Sequence, residues 1–223
     1  MGTDNLFHKR KARAAKDLQR KAHKRTTNKR YLIVCEGTKT EPQYLRELQS
    51  DLSICSKILR IAPNNGTSPD LVVEHAKVLY KEEVASGDPF DRVYCVFDRD
   101  NHATFDAAVQ HVSGLNSNGK PFFAITSTPC FEVWLLLHFD YSTQPFHPAG
   151  GKSVGDQVIS RLKTKPGFER YGKGQKGIYT QLKDQLQKAL DHAQRLRVDG
   201  AATGSTNPAT NFDELVKEIQ SLR

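Results

Sequence analysis

Acidic residues follow two apolar runs of the sequence. Glu36 comes directly after residues 31–35, and Asp98 and Asp100 come directly after residues 93–97. Successive side chains of an extended segment point in opposite directions, so Asp98 and Asp100 can face one site. A carboxylate held in a crevice needs a cation or a proton to share. This spacing predicts a shared acidic site, and the alternative is a set of separate loop acids.

The elements that must position these acids alternate between strands and helices. Thr40 and Gln43 have the spacing of a capping box, and Pro42 suits a first helical turn, so a helix follows Glu36 closely. Apolar periodicity predicts strands at residues 31–35, 54–61, 93–97 and 121–126, and helices at residues 40–48, 69–87 and 104–115. This order predicts a doubly wound, mainly parallel α/β sheet of four strands, with the acids at the carboxyl ends, where ligands bind.

The composition favours one soluble core. Of the 223 residues, 37 % are hydrophobic, which is enough for one core with a small appended part. Because there is neither an apolar run of roughly 18–20 residues nor a signal-peptide segment, we expect a cytoplasmic protein without membrane contact. The cysteines form no C-x-x-C pair, which favours buried, reduced thiols over metal ligands. They are Cys35, Cys55, Cys95 and Cys130.

The positive charge is concentrated at the N-terminus. Residues 1–30 contain eleven Lys or Arg and two Asp, in a chain whose net charge is +8. Such a block suits a polyanion, because each neutralised phosphate releases counterions, whereas a solubilising tail without a partner is the alternative. We predict a flexible basic tail over residues 1–29 that contacts DNA or RNA. Its candidate contacts are Lys9, Arg10, Lys11, Arg13, Arg20 and Lys21.

The C-terminal part has the spacing of helices. Apolar residues recur every three or four positions in residues 154–162, 178–196 and 212–222, which predicts an α/β core at 30–140 and an appended helical region at 141–223. Between the helices predicted at residues 154–162 and 178–196, Lys and Arg residues alternate with aromatic residues and glycines. This segment either clamps a nucleic-acid backbone through Lys173 and Lys176 or is a solvated loop. A nucleotide-binding phosphate loop around Gly151 is excluded, because position 146 is Phe rather than Gly.

Three stretches together resemble a known family. The acidic ends of two strands resemble the Toprim domain of topoisomerases, primases and OLD-type nucleases, and the stretch from Glu36 to Glu41 is most similar to the OLD-like branch. Residues 126–139 (TSTPCFEVWLLLHF) and Asn207-Pro208-Ala-Thr210 extend the resemblance to the RloB-like family. The similarity covers about residue 29 to the C-terminus. Members are small Toprim-like proteins of prokaryotic defence loci, usually found with an RloA-type (SMC- or AAA-like) ATPase.

The resemblance implies roles for five acids. Glu36, Asp98 and Asp100 would hold Mg²⁺ or Mn²⁺, with Glu36 also a candidate general acid or base. Glu41 would be a further ligand, or only a favourable charge in a first helical turn. Glu132 would support a second ion or activate water, or would simply be a buried, paired glutamate. We also expect Thr128 to cap, and Pro129 to open, a helix that buries Phe131, Trp134, Leu135 and His138.

Two functions follow as expectations from the resemblance and the charge distribution. The first is a metal-dependent Toprim-type nuclease, or nuclease subunit, that hydrolyses phosphodiesters in an anti-phage or abortive-infection system. The second is a non-catalytic subunit that senses nucleic acid or another effector and regulates a partner ATPase.

Overall fold

A five-stranded, mostly parallel sheet forms the centre of the protein. The structure is a computed structural model that describes residues 29–64, 66, 68–100 and 102–223. The strands are β1 (Tyr31–Cys35), β2 (Leu59–Pro63), β3 (Arg92–Asp98), β4 (Phe122–Thr128) and β5 (Ala209–Thr210), in the spatial order β2-β1-β3-β4-β5. Neighbours among the first four strands are parallel, and β5 is antiparallel to β4. The predicted α/β fold with a mainly parallel sheet is therefore confirmed.

Helices cover both faces of this sheet. In the described part of the chain they are α1 (Thr40–Asp51), α2 (Pro69–Ser86), α3 (Phe105–Ser117), α4 (Glu132–Leu137), α5 (Val154–Leu162), α6 (Ile178–Leu182), α7 (Leu186–Thr203) and α8 (Phe212–Gln220). A 3₁₀ turn at Lys183–Gln185 separates α6 from α7, where the sequence predicted one continuous helix. The predicted doubly wound arrangement and C-terminal helical part are both present.

Side-chain alternation along β1 divides the interior into two clusters. Leu32 and Val34 pack with α2 and α3 on one face of the sheet, whereas Tyr31 and Ile33 pack with α1 and the C-terminal helices on the other. Every residue of β1 is buried, as expected for a strand covered on both faces. The C-terminal helices therefore share a hydrophobic core with the sheet.

Tyr44 lies at the centre of the second of these clusters. Its ring makes edge contacts, with centroids 5.4–6.4 Å apart, to the rings of Phe131, Trp134, His138, Tyr179 and Phe212. Burial lowers the pKa of His138 to about 4, and its Nδ1 lies 3.0 Å from the Trp134 carbonyl oxygen. His138 is thus a neutral core histidine, which confirms the sequence interpretation.

The predicted number of strands and two predicted element boundaries are wrong, and each has a local reason. The sheet has five strands rather than four, because the two residues of β5 are too few for periodicity to reveal. Strand β2 begins at Leu59 rather than at residue 54, since turns follow α1. Helix α4 begins at Glu132 rather than at Pro129, because β4 pairs with β3 and β5 as far as Thr128.

A buried carboxylate joins the last two helices. Asp213 is 0 % exposed and accepts two hydrogen bonds from the Arg197 guanidinium, one of them 3.0 Å long. Lys217 donates to the same carboxylate at 3.2 Å. Because bidentate, charge-assisted bonds are among the stronger polar contacts, this pair fixes α8 against α7.

Replacing Asp213 with Ala should destabilise the fold. The change leaves the Arg197 charge without its partner, so the free energy of unfolding should fall by about 2–4 kcal/mol. Urea denaturation measures this loss. The matched control is Glu214→Ala, because Glu214 also pairs with Arg197, at 3.5 Å, but its side chain is 55 % exposed. An exposed ion pair contributes little, so the free energy of unfolding of this variant should stay within about 0.5 kcal/mol of the wild type. Equal losses for the two variants would contradict the structural role of Asp213.

Candidate functional site

A cavity of about 370 Å³ opens at the carboxyl edge of the sheet. It lies beside the ends of β1 and β3, where the chain connections turn to opposite faces and leave a crevice. The cavity brings together all five acids singled out from the sequence. Its lining residues are Glu36, Gly37, Thr38, Lys39, Thr40, Glu41, Asp98, Asp100, His102, Glu132 and Lys173.

Both carboxylate oxygens of Glu36 are held in place. The Asp98 N–H donates to Oε2 at 3.1 Å, and His102 Nε2 lies 3.0 Å from Oε1. The Glu36 backbone N–H donates to the Val96 carbonyl at 2.8 Å, which fixes the residue to β3. Burial raises the pKa of Glu36, and the Asp98 hydrogen bond and His102 oppose that rise. Glu36 is therefore an oriented group suited to sharing a proton or a cation.

Asp98 and Asp100 occupy different depths of the cavity. Asp98 Oδ2 accepts the Phe131 N–H at 3.0 Å, and burial together with the charges of Glu41 and Glu132 raises the Asp98 pKa well above its ordinary value. Asp100 is exposed at the mouth, with a φ of 31° that few non-glycine residues adopt. Its N–H donates to the Pro129 carbonyl at 2.8 Å, which stabilises this backbone geometry at the site.

Glu41 and Glu132 form the inner wall. Glu41 lies in the first turn of α1, and burial, helped by the negative charge of Glu132, raises its pKa to about 7. Glu132, at the start of α4, is 1 % exposed and accepts a hydrogen bond of 3.0 Å from the Tyr171 hydroxyl. Glu132 is thus a buried, paired glutamate that also lines the cavity.

Lys173 supplies a positive charge inside this acidic cavity. Burial by itself lowers the pKa of Lys173, but the charges of Glu132, Asp98 and Glu41 outweigh it and raise the pKa above its ordinary value. Lys173 comes from the segment between α5 and α6, so the C-terminal helical part contributes directly to the site. The aromatic residues of that segment, Phe168 and Tyr171, are buried in the core and unavailable for stacking on bases.

Residues 172–177, here called the docking loop, are fastened to α1 by several hydrogen bonds. The Gly174 N–H donates to Thr40 Oγ1 at 3.2 Å, and the Gly177 N–H donates to Glu47 at 2.7 Å. The Gln43 amide, oriented so that donors meet acceptors, pairs with the Gly174 carbonyl and the Lys176 N–H, each at 3.2 Å. These contacts hold Lys173 over the acids.

By residue type, the cavity lining offers the oxygen donors that hard divalent cations bind. Five carboxylates line one cavity, and burial is the first reason that the pKa values of Glu36, Glu41 and Asp98 are raised. Oxygen donors are what Mg²⁺ and Mn²⁺ bind, and a bound cation would relieve the repulsion between these charges. Within residues 29–64, 66, 68–100 and 102–223, no three His, Cys, Asp or Glu side chains are oriented so as to hold a metal. Glu36 and Asp98 instead accept hydrogen bonds from the protein.

The remaining predicted site residues fall into two groups. Lys176 is exposed in the docking loop, outside the cavity lining. The tail residues lie outside the residues that the structure describes, so their role stays a prediction; they are Lys9, Arg10, Lys11, Arg13, Arg20 and Lys21. Of the helices that the structure describes, none is both long and apolar enough to cross a membrane.

The sequence reasoning missed three residues of the site. His102 could have been suspected because it comes two residues after Asp100. Tyr171 and Thr40 carried no such signal, since their roles depend on contacts between segments 39 and 134 residues apart. Only the fold brings Tyr171 to Glu132 and the docking loop to Thr40.

The fold and cavity define an α/β protein with an acidic site at the carboxyl edge of a parallel sheet. The sequence model of the RloB-like protein family matches residues 31–219. The chain therefore belongs to the RloB-like family. No curated protein and no solved structure gives a significant match to the chain.

Glu41→Gln tests the cost of confining these charges. The pKa of Glu41 is about 7 in the fold against 4.5 ordinarily, so the folded state holds the proton more tightly than the unfolded state. As the pH rises from 4.5 to about 7, the free energy of unfolding of the metal-free wild type should fall by up to about 3 kcal/mol. The Gln variant should not show this loss, because Gln does not titrate.

Denaturation in a chelating buffer at the two ends of the window measures the difference. Glu82→Gln, on the exposed face of α2, is the matched control and should follow the wild type. Parallel pH profiles for wild type and Glu41→Gln would show that the Glu41 charge costs nothing in the fold.

Proposed function

We propose that this RloB-like protein is a metal-dependent Toprim-type nuclease that hydrolyses phosphodiesters. The observation that supports this most is the convergence of five carboxylates on one cavity beside the ends of β1 and β3. Mg²⁺ or Mn²⁺ bound there would polarise the scissile phosphate and lower the pKa of the attacking water.

In this proposal each acid of the cavity and Lys173 has a separate role in hydrolysis. Asp98 and Asp100 would hold the metal, with Glu41 and Glu132 as candidates for a second ion. Glu36, oriented by His102 and the Asp98 N–H, exchanges a proton with the reacting oxygens. Lys173 offsets negative charge as the phosphate enters.

The cellular setting is likewise a proposal. The family match and the motif resemblance to defence-associated Toprim proteins support a cytoplasmic role in anti-phage or abortive-infection defence, with an RloA-type ATPase as partner. The substrate would be DNA or RNA, because the N-terminal tail is strongly basic.

One observation favours a second function, a non-catalytic subunit that senses nucleic acid or another effector and regulates the ATPase. Glu36 and Asp98 are already paired with His102 and the Phe131 N–H, and the described residues contain no ready-made metal geometry. A subunit that only senses would keep these pairs and cleave nothing.

Charge-neutralising variants separate the two functions. In Glu36→Gln, Asp98→Asn and Asp100→Asn, carboxylate repulsion falls, so the melting temperature without metal should stay level or rise. Excess Mg²⁺ or Mn²⁺ should stabilise the wild type by about 2.7 kcal/mol at a hundredfold excess over Kd, but not the variants, and cleavage should be lost. Asp184→Asn, an exposed acid on the 3₁₀ turn, is the control. A wild type whose melting temperature is unchanged by both metals would contradict the nuclease proposal.

The tail makes a separate prediction. Residues 1–28 contain nine Lys or Arg against two Asp, so deleting them should weaken nucleic-acid binding and flatten its salt dependence. The melting temperature should not change, because the sheet begins at Tyr31. A variant with these nine residues replaced by Gln separates charge from length. An unaltered salt slope in both variants would argue against tail contacts.

A further inference from the structure

Two exposed lysines, here called the rim lysines, belong to the cavity lining and to the docking loop beside it. Lys39 immediately precedes α1 and lines the cavity, and Lys176 belongs to the docking loop. A Cβ atom added at Gly174 would lie 3.3 Å from Lys39 Cβ, which shows how closely the loop approaches Lys39. The Lys176 backbone is bonded to Gln43 on the same helix. Loop docking therefore brings the segment that carries Lys176 against the segment that carries Lys39.

The charges of these two lysines are not neutralised by the described fold. Among the ion pairs of the residues that the structure describes, none involves Lys39 or Lys176. Lys173, in contrast, lies inside the cavity, and its charge lowers the pKa of both Glu36 and Glu41. The acids thus have Lys173 as their internal counter-charge, and the rim lysines are available to an anionic ligand.

We infer that Lys39 and Lys176 form a phosphate strip that holds the backbone of a nucleic acid beside the cavity. The inference rests on the proposed function, because it takes a phosphodiester as the substrate. A nucleic-acid backbone carries a charge at every nucleotide, so phosphates on the strip can position the next phosphate over the acids. An acidic peptide carries no phosphate for this cavity to act on.

The strip also explains why the loop is docked so firmly. Lys39 and Lys176 are 137 positions apart in the sequence, and the bonds from the docking loop to Thr40, Gln43 and Glu47 hold their two segments together. Lysine contacts to phosphate read no base, so the strip positions any sequence equally.

The test is the double variant Lys39→Ala/Lys176→Ala in the full-length protein. Binding of a short labelled single-stranded DNA, and of the RNA of the same sequence, is measured against salt concentration in a chelating buffer. Losing two phosphate contacts to a single strand should reduce the slope of log affinity against log salt by about 1.4 and lower affinity several-fold. The control is Lys81→Ala/Lys120→Ala, two exposed lysines on α2 and before β4, which should retain the wild-type slope.

Each outcome bears on the strip. A reduced slope with either oligonucleotide supports it, and the oligonucleotide that shows the reduction identifies the preferred substrate. A slope equal to that of the control double variant overturns it. Poly-glutamate is the competitor that tests for an acidic protein ligand. If it competes with the labelled oligonucleotide as well as the unlabelled oligonucleotide does, and the double variant loses this competition, the strip is overturned in favour of an acidic protein ligand.

The measurement is independent of hydrolysis. The chelator removes divalent metal, so the binding result stands whether or not the protein cleaves phosphodiesters in Mg²⁺ or Mn²⁺. A protein that loses slope on substitution but never cleaves would retain the strip and lose the proposed function. If the wild type cleaves but the double variant keeps the wild-type slope, the proposed function stands and the phosphate strip is contradicted.

Discussion

The cost of burying several carboxylates close together is the constraint on which the site depends. Parallel strands bring the residues that follow them to the same edge, so Glu36 and Asp98 must meet, and the helices after β1 and β4 add Glu41 and Glu132. Burial makes each charge costly, and the neighbouring charges add to that cost. His102, the Phe131 N–H, the Tyr171 hydroxyl and Lys173 each offset part of it.

This constraint gives the C-terminal helical part a role in chemistry as well as in packing. Its helices complete the aromatic cluster around Tyr44, which buries one face of the sheet. The segment between α5 and α6 then reaches over α1 to the acids. The hydrophobic core and the electrostatics of the cavity therefore both depend on contacts between α1 and the C-terminal part of the chain, the first through Tyr44 and Tyr179 and the second through the docking loop.

Sequence reasoning recovered the features that depend on local patterns. Buried runs of β-forming residues located β1 and β3, and the acids that follow them could be assigned to one edge because parallel strands share their direction. Features set by contacts distant in sequence were not recoverable. Strand β5 is two residues long and exists through its pairing with β4, and Tyr171 reaches Glu132 across 39 positions. The roles of the acids in chemistry still rest on proposal.

The separation between α1 and the docking loop has a consequence during synthesis. A chain emerging from the ribosome presents Glu36, Asp98 and Glu132 long before residues 171–177 are translated. Until then Glu132 has no Tyr171 and the cavity has no Lys173, so the nascent protein carries its acids without a finished site. The order of translation thus delays assembly of the cavity until residues 171–177 have left the ribosome.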